Sequence, residues 1–294
     1  MACRVQTMKA LKISVVTPSF NSENTIRDSI ESVLAQSYKN WEHLIMDGGS
    51  KDSTLSILQK YQHLTWISEK DEGHYHAMNK GIAKATGDLI VILNSDDCFR
   101  PDVFETVVNA FQQHESWDAL FGDIIYVDAD NREIYRRQEA VYDYNVLLFA
   151  LNYICHHTLF ARREVYARIG GYRHKDFLNC ADFEFMLRLG RTGCKVGHVS
   201  KFLVNYRYHS FGQSADLRVT RNMAKEAAII RREYGNPGGL LGKCLQIIFR
   251  AKRQMQKLLM LGKCDLVPGT WKLRPHMRKK TTFSSNSGVD KLSN

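Results

Sequence analysis

The sequence has 294 residues, 44% of them hydrophobic and 24% charged, an ordinary composition for a globular protein. This length allows one large α/β domain with an extension. The formal net charge of +10 arises near the C-terminus, because residues 1–235 carry equal numbers of basic and acidic side chains. Residues 236–280 carry eleven Lys and Arg against one Asp. The first 235 residues are therefore neutral, and their composition does not indicate a polyanion-binding domain.

The seven cysteines are scattered, odd in number and never spaced as Cys-x-x-Cys. This distribution argues against a zinc site or a secreted disulfide framework and indicates a reducing compartment. The first twelve residues lack the apolar core of a signal peptide, and no run approaches the roughly 18 apolar residues of a membrane span. We expect a cytoplasmic protein, or one held peripherally on the inner face of the cytoplasmic membrane.

The first hundred residues alternate between short apolar runs and segments with helical spacing of apolar residues. The predicted strands are 12–17, 41–47, 64–68 and 88–93, and helices are predicted at about 25–36, after a cap at Ser50 or Asp52, and at about 74–85. Such alternation predicts a mostly parallel sheet with helices on both faces.

The second half is less regular. Strands are predicted at 119–127 and 133–137, joined by a turn, with a further strand at 153–161 and a helix at about 182–192. Residues 281–294 are polar and predicted to be disordered.

Ligands of parallel α/β sheets bind at the carboxyl ends of the strands, where this sequence places four polar clusters. They are Pro18-Ser19-Phe20-Asn21, Asp47-Gly48-Gly49-Ser50, Asp71-Glu72-Gly73 and Asn94-Ser95-Asp96-Asp97. Two adjacent carboxylates at a strand end repel each other, and Mg²⁺ or Mn²⁺ would relieve that repulsion. The alternative is a helix cap before Pro101.

The sequence contains neither a G-x-G-x-x-G fingerprint after the first strand nor a G-x-x-x-x-G-K-[ST] loop. A nucleotide must therefore be held in another way. Asp47 could accept a hydrogen bond from a base N–H, or it could simply stabilise the turn before Gly48 and Gly49.

Three segments, SVVTPSFNSE, LIMDGGSKDST and DEGHYHAMNKGIAKATGDLIVILNSDD, occur in order over residues 12–100. Together they resemble the nucleotide-binding half of inverting family 2 glycosyltransferases with the GT-A fold, most closely the bacterial branch that builds O-antigen, colanic acid and capsule. The resemblance continues more weakly to about residue 215 through CHHTLFARREVYARIGGY, CADFEFMLRL and YRYHSFGQS. It implies an α/β GT-A fold whose mostly parallel mixed sheet is flanked by helices, with a C-terminal helical extension.

The resemblance also implies a role for individual residues on the donor side. Pro18 and Phe20 would lie along the nucleobase, and Asp47 would bind its imide edge, which favours uridine. Further implied nucleotide contacts are Asn79 and Asp96, whereas the implied metal ligands are Asp97 and His209. The family motif is loosely Asp-x-Asp, and Ser95-Asp96-Asp97 is a variant of it.

Inverting transfer needs a base that removes a proton from the attacking acceptor hydroxyl. The resemblance places Asp182 in that position, although Ala181 replaces the first acid of the usual Glu-Asp pair. A helix N-cap is the alternative for Asp182. Residues that the resemblance places on the acceptor side are His156, His157, Gly171 and Glu184, and either histidine could instead be a packed core residue.

Residues 240–262 place apolar side chains at helical spacing with basic residues between them. This pattern predicts a basic amphipathic helix on an anionic membrane surface. The alternative is a helix packed on its own domain with a solvated basic face. Nucleic-acid binding is not expected, because the segment has no recognisable nucleic-acid module.

The sequence thus predicts a tail at 1–9, a GT-A domain at 10–215, a basic helical extension at 216–280 and a disordered tail at 281–294. Within the domain, the nucleotide half covers about 10–100 and the acceptor half about 101–215. The expected activity is transfer of a hexose or N-acetylhexosamine from a UDP-sugar to a lipid-linked or oligosaccharide acceptor in surface polysaccharide synthesis. The rival hypotheses are a non-catalytic nucleotide-sugar-binding protein of the same fold and a nucleotidyltransferase.

Overall fold

The computed structural model describes residues 10–208 and 217–262. Nine strands within these ranges form one sheet, and their bounds are β1 Ile13–Ser19, β2 Trp41–Asp47, β3 Leu64–Ser68, β4 Leu89–Ile92, β5 Cys98–Phe99, β6 Ala119–Val127, β7 Glu133–Arg137, β8 Phe160–Arg162 and β9 Val196–Arg207. The strand order is β3-β2-β1-β4-β8-β6-β9-β5, and β7 pairs with β6.

Eight α-helices accompany the sheet in the same part of the chain. Their bounds are α1 Ile26–Leu34, α2 Thr54–Leu58, α3 His74–Lys84, α4 Val103–Gln113, α5 Arg163–Ile169, α6 Ala181–Arg191, α7 Leu217–Glu233 and α8 Gly239–Leu261. None of these helices combines the length and apolar character needed to cross a bilayer.

The first half of the sheet is parallel, as its alternating pattern predicts. Strands β3, β2, β1 and β4 pair in parallel, so their carboxyl ends lie along one edge. The second half is mixed: β8 pairs antiparallel with β4 and β6, whereas β9 runs parallel to β6. The antiparallel β8 therefore separates the four parallel strands from the second half of the sheet.

Side chains of the central strands alternate between two cores, as the period of a β-strand requires. Val16 and Ile92 face one side with α3 and α6. Val15 and Val91 face the other side, against Phe104 and Phe111 of α4. Both faces of the central strands are thus covered, and polar chemistry is left to the strand ends.

The predicted strand at 153–161 is wrong over most of its length. Residues Val146–Ala150 form a π-helical segment and His156–Thr158 a 3-10 turn, so that only Phe160–Arg162 is extended. The backbone N–H groups of Thr158 and Leu159 donate to the carbonyls of Cys155 and His156. The turn directs both histidine side chains away from a strand register and into the site described below.

Candidate active site

The turn Ser95-Asp96-Asp97 follows β4 and is fixed by the end of β9. Arg207 N–H donates to Asp97 Oδ1 at 2.8 Å, and Arg207 Nε donates to the carbonyl of Asp96 at 3.0 Å. The same guanidinium forms an ion pair with Asp28 at 2.7 Å. The sequence did not identify Arg207, because nothing local to it reveals that β9 ends beside the turn after β4.

Asp97 is 2% exposed, and His157 is its close neighbour. Nδ1 of His157 lies 2.5 Å from Asp97 Oδ2, yet the two atoms are not aligned for a hydrogen bond. Burial and the nearby charge of Asp96 raise the pKa of Asp97 well above its usual range. Burial lowers the pKa of His157 to about 4. Asp97 Oδ2 and His157 Nδ1 are both buried, and neither has a hydrogen-bond partner among residues 10–208 and 217–262. An oxygen and an imidazole nitrogen of this kind fit the ligands of a divalent cation.

Asp182 lies in the first turn of α6, one residue after the helix begins at Ala181. It is therefore not the N-cap, and its carboxylate has two side-chain partners. Tyr75 Oη donates to Oδ1 at 2.7 Å, and His156 Nδ1 lies 3.3 Å from Oδ2. Burial would raise the pKa of Asp182, but the interactions with His156 and Tyr75 outweigh burial and lower it to about 2.

The two histidines connect the two acids. His156 faces Asp182 and His157 faces Asp97, and the two ring centroids are 3.9 Å apart. Burial lowers the pKa of His156, and the charge of His157 would lower it further. Nε2 of His156 is buried and, among the described residues, has no hydrogen-bond partner. The two rings therefore link the Asp97 side chain to the Asp182 side chain within one site.

Asp47 stabilises its own turn in this structure. Its side chain is fully buried and accepts hydrogen bonds from the Gly49 and Ser50 N–H groups and from the Ser50 and Ser68 hydroxyls. All of these donors come from the protein, which favours the turn interpretation over the base contact. Phe20, in contrast, is 62% exposed directly after β1 and presents a free aromatic face, while the neighbouring Pro18 is buried.

Asn79 holds the loop before α6 rather than pointing into open space. Its amide accepts from Tyr172 N–H at 2.8 Å and donates to the Tyr172 carbonyl at 2.7 Å and to His174 Nδ1 at 3.1 Å. A Cβ added to Gly171 would lie 2.3 Å from Asn79 Oδ1. This close approach therefore requires a glycine. We call the hydrogen bonds of Asn79 with Tyr172 and His174, together with its approach to Gly171, the Asn79 clamp.

Glu184 does not reach the acceptor side, contrary to its predicted place. Its side chain is completely buried, with an ion pair to Arg188 at 2.8 Å and a hydrogen bond from Tyr234 Oη at 2.6 Å. On a helix, a side chain two positions after Asp182 points to a different face. Glu184 instead ties α6 to the end of α7. The remaining predicted site residue, His209, lies outside the described residues.

Glu72, His76 and His174 form a second cluster with ligand atoms within 4.8 Å of one another. His76 Nδ1 accepts the N–H of Glu72, and His174 Nδ1 accepts from the amide of Asn79. Both neutral rings therefore carry their proton on Nε2, the nitrogen left for a ligand. This arrangement places two N–H donors beside a carboxylate. It does not suit a cation, because the protonated Nε2 atoms have no lone pair to offer as ligands.

Known proteins resemble this chain in sequence and in fold. The profile of Glycosyl transferase family 2 matches residues 14–170. A PGL/p-HBAD biosynthesis glycosyltransferase of Mycobacterium tuberculosis is 29% identical over 231 residues, which cover 76% of this chain and 87% of the relative.

Two solved structures share the fold. Staphylococcus aureus TarS 1–349 in complex with UDP-GlcNAc superposes with a TM-score of 0.56 at 17% identity, over 84% of this chain and 81% of that one. The mannosyltransferase PcManGT of Pyrobaculum calidifontis, in complex with GDP-Man and Mn²⁺, gives a TM-score of 0.54 at 18% identity and 86% coverage of each chain. Against a longer TarS structure the chain spans 52% of the neighbour. From the matched profile, the strand order and these neighbours, the chain belongs to glycosyl transferase family 2 and is a glycosyltransferase with a GT-A-like fold.

Proposed function

We propose that this glycosyltransferase moves a hexose or N-acetylhexosamine from a UDP-sugar to a hydroxyl of a lipid-linked or oligosaccharide acceptor, with inversion. The observation that carries the proposal is that two acids with different surroundings, Asp97 and Asp182, lie in one site. Among the described residues, Asp97 Oδ2 after β4 and the neighbouring His157 Nδ1 are buried without a hydrogen-bond partner. Asp182 lies beside His156 in a network that keeps it ionised. Inverting transfer needs these two features on opposite faces of the sugar, with the metal on the side of the leaving diphosphate and the base on the side of the attacking hydroxyl.

Asp97 and His157 are the described residues best suited to hold the cation. One carboxylate oxygen and one imidazole nitrogen favour Mn²⁺ over Mg²⁺, because Mg²⁺ prefers an all-oxygen shell. When bound, the ion would neutralise charge on the departing diphosphate. Asp96 contributes charge beside the site, and we retain its contact with the ribose and ligation by His209 as parts of the proposal. The Mn²⁺ complex of PcManGT supports the choice of ion.

The nucleotide would lie between the ends of β1 and β2. Phe20 offers an exposed ring on which a base can stack, and stacking on an aromatic face does not by itself select a base. The UDP-GlcNAc bound to TarS supports uridine, whereas the GDP-Man bound to PcManGT is the competing precedent. Because the Asp47 carboxylate is occupied by its own turn, base selection by Asp47 requires that turn to rearrange.

Asp182 is the proposed base. The acceptor oxygen attacks the anomeric carbon as the bond from that carbon to the diphosphate oxygen breaks, and the hydroxyl proton passes to the Asp182 carboxylate. The Tyr75 hydroxyl and His156 hold the carboxylate in one orientation. Fixed direction compensates for the low basicity of a group with a pKa of about 2. Of the histidines predicted on the acceptor side, His156 is thus assigned a positioning role.

Donor-induced thermal stabilisation tests this proposal. UDP-sugars and GDP-mannose are compared with Mn²⁺, with Mg²⁺ and without metal, using wild type and Asp97→Asn. A ligand that binds only the folded state raises the melting temperature. We expect a UDP-sugar with Mn²⁺ to give the largest rise in wild type and no metal-dependent rise in the variant. A larger rise with GDP-mannose, or an equal rise without metal, would contradict the assignment.

A further inference from the structure

Helix α8 packs on the domain through a polar side. Arg253 and Lys257 are buried, and both contact Glu139, at 2.5 Å and 3.8 Å. Gln256 donates to Asp143 at 3.0 Å. The ring of Phe249 stacks on Phe149 with centroids 5.1 Å apart. The side of α8 that faces the protein therefore carries two buried cations, which is the reverse of an ordinary surface helix.

Most of the exposed apolar side chains of α8 lie on the opposite side, in solvent, whereas Phe249 and Met260 lie on the side that faces the domain. The apolar stripe comprises seven large side chains, each at least 47% exposed: Leu240, Leu241, Ile247, Ile248, Met255, Leu258 and Leu259. At 100° per residue these positions fall within a sector of about 120°. At 1.5 Å per residue the stripe runs for about 29 Å. A contiguous apolar surface of this size on a folded domain indicates a contact site.

Basic residues border the apolar stripe on both sides. Lys243 and Arg250 are exposed and follow one border at the same helical spacing. Lys252 follows the other border, where 45% of its side chain is exposed and its ammonium forms an ion pair with Asp143 at 2.6 Å. Helix α8 contains no acidic residue between Gly239 and Leu261. An apolar sector between two basic borders matches the interface of a lipid bilayer, in which acyl chains lie below anionic headgroups.

We propose that α8 docks this enzyme on an anionic lipid surface, with the apolar stripe inserted at the interface and Lys243 and Arg250 on headgroup phosphates. A second copy of the chain is a poorer occupant, because a two-fold pairing of stripes would place the basic borders of both copies together with no acid on α8 to neutralise them. The buried pairs of Arg253 and Lys257 with Glu139 hold the helix so that the stripe faces outward. This inference does not depend on the donor or acceptor.

Vesicle co-sedimentation of the full chain tests the inference. Two vesicle types are used, phosphatidylcholine alone and equal parts of phosphatidylcholine and phosphatidylglycerol. The stripe variant carries Ile247→Ser, Leu258→Ser and Leu259→Ser, and the border variant carries Lys243→Gln and Arg250→Gln. A matched control removes two exposed bases elsewhere, with Lys60→Gln and Lys84→Gln. All of these positions are exposed, and substitutions there rarely disturb folding.

We expect wild type and the control to bind the anionic vesicles. The border variant should bind them roughly 25-fold more weakly, since each base near an anionic surface contributes roughly fivefold. The stripe variant should lose binding. Failure of wild type to bind would overturn the proposal. Unchanged binding by the stripe variant would also overturn it, because the contact would then lie in other basic residues. Light scattering tests the remaining alternative. If the wild type is a dimer that does not bind vesicles, and the stripe variant is a monomer, the stripe is the contact with a second copy of the chain.

Discussion

The Asn79 clamp makes a sharp prediction because one substitution can undo the cost of another. Gly171 has no positive backbone torsion, so alanine can adopt its conformation. The added methyl group would lie 2.3 Å from Asn79 Oδ1, far inside van der Waals contact. The amide must move, and its two hydrogen bonds with the Tyr172 backbone are then lost.

Each net hydrogen bond contributes about 0.5–1.5 kcal/mol, so Gly171→Ala should lower the free energy of unfolding by about 1–3 kcal/mol. Asn79→Ala removes the same two bonds and the one to His174, and should cost about 2–4 kcal/mol. In the double variant the methyl group of residue 171 no longer meets an amide. The double variant should therefore be about as stable as Asn79→Ala alone, a coupling of about 1–3 kcal/mol.

Urea denaturation of the four proteins, followed by fluorescence, measures this cycle. The denaturant dependence should be the same in all four, because the change is local. The reasoning is refuted if Gly171→Ala costs the same in both backgrounds, since the loop would then not be held by the Asn79 amide. We also expect both single variants to slow sugar transfer, because Tyr172 packs on Tyr75 with ring centroids 5.4 Å apart and Tyr75 holds Asp182.

Three further predictions concern titratable groups. Burial and Asp96 raise the pKa of Asp97, which disfavours its ionised form. Asp97→Asn should therefore keep the melting temperature of the metal-free protein, but lose both sugar transfer and the rise in melting temperature that Mn²⁺ causes. A large fall in the metal-free melting temperature would contradict this. His156→Gln removes an interaction that lowers the pKa of Asp182, so burial should then raise that pKa. The acidic side of the pH profile of kcat/KM should move to higher pH. An unchanged pH profile would show that His156 does not position Asp182. Burial would raise the pKa of Glu42, but hydrogen bonds from Lys12, Ser14 and Thr86 outweigh burial and lower it to about 2. The ionised Glu42 therefore stabilises the folded protein above about pH 4.5, and this contribution is lost as the pH falls towards 2. With the side chain 21% exposed, Glu42→Gln should cost about 1–2 kcal/mol at pH 7 and little near pH 2 by urea denaturation, and a pH-independent cost would refute the linkage.

Much of the donor half was predictable because its signals are local. The apolar run of each parallel strand is bounded by turn residues, and the ends of the observed strands lie within two residues of the predicted ones. The polar clusters accordingly lie at one edge of the sheet. The predicted fold class and family are confirmed by the strand arrangement, the family profile and the solved neighbours.

Non-local pairings could not be predicted in this way. The sequence analysis missed β9, whose burial is irregular along its 12 residues and whose stability depends on pairing with β6. The contact of Asp97 with His157 joins residues 60 positions apart, and the role of Arg207 depends on where β9 ends. The resemblance implied that His156 and His157 lie on the acceptor side, but only the 3-10 turn shows that each faces a different acid. Asp47 is the opposite case, a residue whose role follows from local contacts. Its carboxylate already accepts hydrogen bonds from the N–H and hydroxyl groups of Ser50 in its own turn.

Release of nucleoside diphosphate during transfer tests the central claim most directly. Wild type, Asp97→Asn and Asp182→Asn are incubated with UDP-sugars or GDP-mannose, with and without candidate acceptors, in Mn²⁺ or in chelator. We predict UDP release that needs Mn²⁺, increases with an acceptor and falls at least about 100-fold in both variants, the range expected for loss of a general base. Release of GDP in preference to UDP, release that persists in chelator, or full activity of Asp182→Asn would contradict the account.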